Sequence, residues 1–147
     1  MLGPALNGAA LGLQWNRENS CMKQLERSGV LSETEARDFA VDWIRAWNSH
    51  DLDAIMSHYA AEVALTSPAA AQILGDPSGT VRGKDALREY FQRGLDAYPN
   101  LTFRLLDVMR GLSSVVLYYV NQKGSKTGEF MEFDANQKVI RVVANYT

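Results

Sequence analysis

The sequence predicts an α+β domain in which about three helices cover one face of a curved antiparallel sheet. Three observations lead there. A capping box opens an amphipathic helix near residue 32, two further amphipathic stretches follow, and from residue 101 the chain reads as strand after strand with short links. Helices first and a meander last is the order of an α+β layout. Short links favour hairpins, because a parallel crossover needs ~12 or more residues. The length of 147 residues suits one domain, since domains commonly run ~100–200 residues. An apolar fraction of 46% with 22% charged residues argues against a disordered chain, a collagen-like fibre and a membrane protein. A net charge of −2 offers nucleic acid no basic face. The single cysteine, Cys21, can neither close an internal disulfide nor build a thiolate zinc site.

The chain opens on MLGPALNGAALGL, apolar enough to suggest a short secretory core. It has no Lys or Arg before that core, and Pro4, Asn7 and several glycines interrupt it, unlike a secretory signal. It is also too short to span a bilayer, which takes ~20 apolar residues. Residues 1–31 therefore read as an irregular or loosely helical extension ahead of a domain over 32–147, in a cytoplasmic protein with no membrane partner.

Ser32 and Glu35 form the capping box S-x-x-E, which satisfies the first amides of a helix. Ala36, Phe39, Ala40, Trp43, Ile44 and Trp47 recur at the spacing of one helical face, to about Asn48. Leu52, Ile55, Met56 and Tyr59 mark a second, shorter helix. Glu62 to Ser67 alternates like a short strand, and Pro68 to Gly83 is dense in turn residues, so it is expected as a loop. Ala86, Leu87, Tyr90, Phe91 and Leu95 face one side of a third helix that stops at Pro99. Leu101–Arg110, Ser113–Gln122, Lys126–Asp134 and Lys138–Tyr146 are rich in β-branched and aromatic residues, the composition of strands.

Alternation sorts the strand residues by face. Thr127, Glu129, Met131 and Phe133 share one face, so Glu129 has apolar neighbours of the kind that raise a carboxyl pKa. Two readings stay open for it: a cavity acid, or a sheet-edge carboxylate paired with Arg or Lys. Ile140, Val142, Ala144 and Tyr146 share a face of the last strand, as packing or as a cavity wall. His50 and His58 with Asp51 and Asp53 could supply metal ligands, but they lie around a helix start and read as solvated surface. No H-E-x-x-H, Walker loop or G-x-G-x-x-G occurs, so zinc-protease and common nucleotide motifs are absent. No metal and no cofactor is expected.

The segments FAVDWIRAWNSHDLDAIMSHYAAEVALTSP, VRGKDALREYFQRGL and EFMEFDANQKVIRVVANY carry a resemblance to the NTF2-like superfamily, home of SnoaL-like polyketide cyclases and ketosteroid isomerases. It spans roughly Glu35 to Tyr146 and implies a cone-shaped fold around a pocket. By this resemblance Glu129 stands where the isomerases place the protonated acid of their oxyanion hole. Trp43 replaces the oxyanion-hole tyrosine, Ser67 replaces the aspartate that moves the proton, Tyr59 keeps a cavity tyrosine and Phe91 replaces another. The Arg-x-Asp strand pair of the family's epoxide hydrolases is not matched, since Thr127 precedes Glu129 by two. The expected site is catalytic Glu129, with Trp43, Tyr59, Ser67, Phe91, Met131, Val142 and Tyr146 around a small apolar molecule. The function is then either an isomerase, cyclase or lyase using Glu129 as buried acid/base, or a non-catalytic ligand-binding or dimerisation module. A homodimer through the outer sheet face is implied by the resemblance and expected from the strand Ser113 to Gln122. Val115, Leu117 and Tyr119 alternate with Val116, Tyr118 and Val120, and a strand apolar on both faces needs cover on both.

Overall fold

A computed structural model describes residues 30–147. The opening apolar stretch, Cys21 and nearly all of the expected extension lie outside the described residues. Helix α1 (Glu33–Asn48) begins at the capping box: Ser32 Oγ accepts from Glu35 N at 3.0 Å, and Glu35 Oε1 accepts from Ser32 N at 3.3 Å. Its buried face carries Ala36, Ala40, Trp43, Ala46 and Trp47, while Phe39 and Ile44 of the expected stripe are half-buried. At its far end the Asn48 amide mimics a strand. It donates to Phe103 O at 2.9 Å and accepts from Phe103 N at 2.7 Å, which fixes α1 against the chain entering the sheet. Helix α2 (Leu52–Met56) starts at Asp51, whose carboxylate caps Ala54 N.

Strand β1 (Tyr59–Thr66) comes earlier than its expected range, and Tyr59 belongs to it rather than to the second helix. The stretch expected as a loop holds two elements. Helix α3 (Pro68–Leu74) is capped by Ser67, begins with Pro68 at its first position and ends on Gly75 at φ 66°. The short strand β2 (Thr80–Arg82) follows. Proline in the first helical turn loses no hydrogen bond, and a left-handed glycine after the last turn is a common stop, so the same residues that suggest a loop bracket a helix. Helix α4 (Lys84–Ala97) buries Leu87, Tyr90, Phe91 and Leu95.

The meander is β3 (Arg104–Arg110), β4 (Ser114–Val120), β5 (Lys126–Phe133) and β6 (Val139–Tyr146). One six-stranded sheet results, in the order β2-β1-β6-β5-β4-β3. Every neighbouring pair is antiparallel except β1 and β6, which run parallel. Those two strands are far apart in sequence, so no hairpin constrains their sense. Register shifts fall between Tyr59 and Ala64, Leu105 and Asp107, and Glu132 and Phe133. Such irregularities bend a strand and sharpen twist, and the sheet curves around the helices. In β4, Val115, Leu117 and Tyr119 are buried while Val116, Tyr118 and Val120 are half-buried on the other face. Among the described residues no helix is long and apolar enough to cross a membrane.

Candidate functional site

Glu129 sits on the inward row of β5 with Thr127, Met131 and Phe133, all buried. Its directly opposed neighbours are Leu117 on β4 and Ala144 on β6, so the adjacent rungs offer it no polar group. One step along, Thr127 is flanked by Tyr119 on one side and Tyr146 on the other. Diagonal neighbours lie within reach of long side chains, and Tyr119 Oη donates to Glu129 Oε2 at 2.7 Å. Oε1 receives no donor, and Glu129 makes no ion pair, among the described residues. The edge-carboxylate reading is thereby set aside. Burial pushes the Glu129 carboxyl up from 4.5 to about 7, against the opposing pull of the Tyr119 hydrogen bond. Removing a charge from water disfavours the charged form, and no cation among the described residues pairs with it.

Aromatic rings build the wall around this acid. Trp43 stacks on Phe103 with centroids 5.8 Å apart, and Phe103 meets Tyr119 at 4.7 Å. Trp47 contacts Phe91 edge-on at 4.8 Å. The Trp43 indole N–H donates to Tyr59 Oη at 2.9 Å, so it is engaged within the protein. Burial and the neighbouring Glu129 carboxylate hold the Tyr59 and Tyr119 phenols well above their ordinary range. Trp47 Nε1 is buried without a close hydrogen bond among the described residues, although it sits near enough to Tyr59 to favour its anion slightly.

A second polar group lies at the junction of β1, α3, α4 and β6. Ser67 is 3% exposed; its hydroxyl accepts from Ala69 N at 3.1 Å and shares a hydrogen bond with Tyr146 Oη at 3.2 Å. Tyr90, on α4, is buried close to both. Burial and Glu129 push Tyr146 up to about 12, and burial, with Tyr146 and Glu129 adding, raises Tyr90. All three hydroxyls are therefore neutral at physiological pH.

These groups surround one pocket of about 310 Å³, at the small end of the usual range for ligand sites. Of the expected site residues, Glu129, Trp43, Ser67, Phe91 and Tyr146 line it. Tyr59, Met131 and Val142 do not. They are almost completely buried, and Tyr59 accepts a hydrogen bond from Trp43, which does line the pocket. Tyr119 and Tyr90 line the pocket and were not anticipated. Tyr119 was legible in principle: the Lys123-Gly124-Ser125 turn sets Leu117 opposite Glu129, which puts a phenol diagonal to the acid. Tyr90 carried no signal beyond its helical face. The two histidines are spent elsewhere. His50 Nε2 meets Leu101 O at 2.8 Å, and His58 bridges Asp42 at 2.8 Å and Ile55 O at 3.1 Å. Among the described residues no group of three His, Cys, Asp or Glu side chains is gathered as a metal site.

Residues 40–145 match the SnoaL-like domain family. A SnoaL-like protein of unknown function from Burkholderia thailandensis E264 is 37% identical, with a TM-score of 0.78 over 80% of this chain and 98% of that one. A putative ketosteroid isomerase from Kribbella flavida DSM 17836 is 16% identical at a TM-score of 0.61, covering 76% of this chain and 77% of that one. SalBIII, an epoxide hydrolase/cyclase-like enzyme of pyran ring formation in polyether salinomycin, is 15% identical at 0.62, over 80% and 94%. At those identities the last two share the fold alone. No curated protein matches the chain. With its cone of helices on a curved six-stranded sheet, its neighbours in the NTF2-like superfamily and a family match over most of its length, this chain belongs to the SnoaL-like family.

Proposed function

We propose that this protein binds a small, mostly apolar molecule in the pocket and moves a proton at it with Glu129, as an isomerase, cyclase or lyase. The observation that carries the reading is a buried carboxyl facing the pocket, without an ion pair among the described residues, and raised to about 7. A group half ionised at neutral pH serves as base in one half-reaction and as acid in the next. A single carboxyl can thus take a proton from carbon and return it elsewhere, with no change in oxidation state and no redox group required. Tyr119 holds Oε2, so the titrating proton belongs on Oε1, the oxygen without a partner among the described residues. Trp43, Tyr59, Phe91, Met131 and Val142 supply the apolar wall and the layer behind it. A cytoplasmic homodimer joined through the half-buried outer face of β4 completes the proposal.

The alternative, a non-catalytic ligand-binding module, is favoured by one fact: among the described residues Glu129 is the sole carboxylate lining the pocket, and Ser67 supplies no base. Hydrogen–deuterium exchange next to a ketone separates the two. With 2-tetralone in D2O, followed by NMR, the native protein is expected to accelerate exchange of the hydrogens beside the carbonyl and Glu129→Gln to abolish that acceleration. Binding of the ketone without accelerated exchange would establish the binding module instead.

A further inference from the structure

We propose that this pocket selects a cation: its ligand is an apolar tertiary amine, bound as the ammonium with its N–H on Glu129 Oε1 and its body against the surrounding rings. This deepens the proposal above by naming the ligand's class, and it rests on the reading of Glu129 as an acid that faces the pocket.

An open acceptor and an aromatic wall carry the argument. Glu129 Oε2 is taken by Tyr119, and Oε1 receives no donor among the described residues. Oε1 also keeps open surface. The side-chain polar atoms sealed from contact without a partner are Trp47 Nε1 and Gln122 Oε1, among the described residues, and Oε1 of Glu129 is not one of them. One open carboxylate oxygen matches one N–H, and a tertiary ammonium has one. Eight of the side chains lining the pocket are aromatic. Starting from Tyr119, which touches the acid, they form a continuous patch. Phe103 and Trp43 pack on the Tyr119 ring at 4.7 and 5.5 Å, and Trp47 closes on Phe103 and Trp43 at 5.6 and 5.9 Å. Electron-rich ring faces attract ammonium groups, and cages of such rings bind alkylated ones. The pocket already holds an ammonium in this way: Lys123 Nζ lies 5.1 Å from the centre of the Tyr98 ring, and both residues line it.

The charge pattern disfavours the other classes. Glu129 is the only carboxylate among the lining residues, and Lys123 is the only cation. That lysine is exposed, so water screens it from an arriving charge. An anionic ligand would meet the Glu129 carboxylate with no buried cation to offset the repulsion. A neutral ligand would leave that carboxylate buried and uncompensated, whereas buried charges are stable when paired. An ammonium supplies the missing partner. Pairing also keeps Glu129 ionised, the form that accepts a proton in the reading above.

Amine binding should then follow the ionisation of Glu129, whose carboxyl burial raises to about 7. The other titratable groups facing it are phenols: Tyr119 on β4, Tyr146 on β6, Tyr59 on β1 and Tyr90 on α4. Burial holds all of them above their ordinary range. Helix α1 contributes the Trp43 and Trp47 rings, α3 carries no titratable side chain, and Lys123 is the one charged neighbour along the wall. An aliphatic amine titrates near the ~10 of lysine, so between pH 5 and 8.5 the group that changes state is Glu129.

The test compares N,N-dimethyl-2-aminotetralin with 2-isopropyltetralin, the same shape with C–H in place of the charged N–H, by quenching of tryptophan fluorescence. At pH 8.5 the native protein is expected to bind the amine roughly tenfold tighter, the scale of a charge-assisted hydrogen bond with ring contacts added. At pH 5 most of that advantage should be gone, with binding of the neutral compound unchanged. Glu129→Gln should lose the pH dependence and most of the preference while binding the neutral compound as before. Phe103→Leu, which removes a ring and keeps apolar bulk, should lower the preference by about threefold. Saturating amine should move the Glu129 titration, followed by carbon NMR on the native protein, below 7; this readout and the pH profile decide the matter if a variant does not fold by circular dichroism. Equal affinity for the two compounds at pH 8.5, or a preference unchanged at pH 5 and in Glu129→Gln, overturns the cation site. Accelerated exchange of the 2-tetralone hydrogens with no amine preference would leave the proton carrier standing and remove only the cation site. An amine preference without such exchange would do the reverse.

Discussion

Glu129 is buried at 7% exposure with a single hydrogen-bond donor among the described residues, and its thermodynamic consequences can be signed. Its folded pKa, about 7, lies above the ordinary 4.5, so the fold favours the protonated form. The stability this group contributes is fully present below the unfolded pKa, is lost as pH rises from about 4.5 through about 7, and is constant above. The loss is of the order of 3 kcal/mol, at about 1.4 kcal/mol for each tenfold change in proton affinity. Urea unfolding across pH 4–8 should show this decline in the native protein and a flatter curve in Glu129→Gln; parallel curves would refute it. Tyr119 stabilises the carboxylate, so Tyr119→Phe should move the Glu129 titration, followed by carbon NMR, further above 7. Movement downward would show that another group governs it. Trp43→Phe removes the donor to Tyr59 Oη and should cost about 1–3 kcal/mol in unfolding free energy, the price of an orphaned buried hydroxyl.

At the scale of elements, the short helix α3 and the turn behind it set the position of the hydroxyl wall. Gly79 sits at φ 58°, and a Cβ there would come within 2.6 Å of Ser67 O, while Ser67 N donates to Gly79 O at 2.9 Å. Gly79→Ala therefore adds a backbone clash to left-handed strain and should displace Ser67. Gly75 shares the left-handed conformation at φ 66°, yet nothing lies within 4 Å of its added Cβ. Gly75→Ala should cost only the conformational term, about 1 kcal/mol, and spare ketone binding; Gly79→Ala should lower stability further and weaken that binding. Equal effects of the two substitutions on stability and binding would contradict this account. Much of α3 was written in the sequence: Ser67 and Pro68 start it, three consecutive alanines favour it and Gly75 ends it. The density of Pro, Gly and Ser over the wider stretch pointed to a loop because the turn residues that bracket a short helix are the same ones that build loops.

For the whole molecule, the outer face of β4 is apolar and half-buried in the single chain, with no helix of the described residues assigned to cover it. Light scattering at micromolar concentration should give about twice the 16.3 kDa chain mass, and Tyr118→Glu, which adds charge to that face, should return the monomer. A native protein of monomer mass would reject the dimer.

The sequence by itself determined the α+β class, the capped helix α1, the four-strand meander and the inward parity of Glu129. These follow from local rules: capping chemistry, a 3.6-residue or 2-residue period, and links too short for crossovers. Only the tertiary structure decided the rest. It moved Tyr59 from a helix that its spacing fitted into β1, an alanine-rich strand of low intrinsic preference that exists because β2 and β6 pair with it. It made the β1–β6 pair parallel, gave Tyr119 to Glu129, and gathered Ser67, Tyr90 and Tyr146 from three separate elements onto one wall. Local propensity fixes which way a side chain faces, but which groups share a desolvated space depends on distant strands and helices meeting, and that meeting raises the pKa of Glu129.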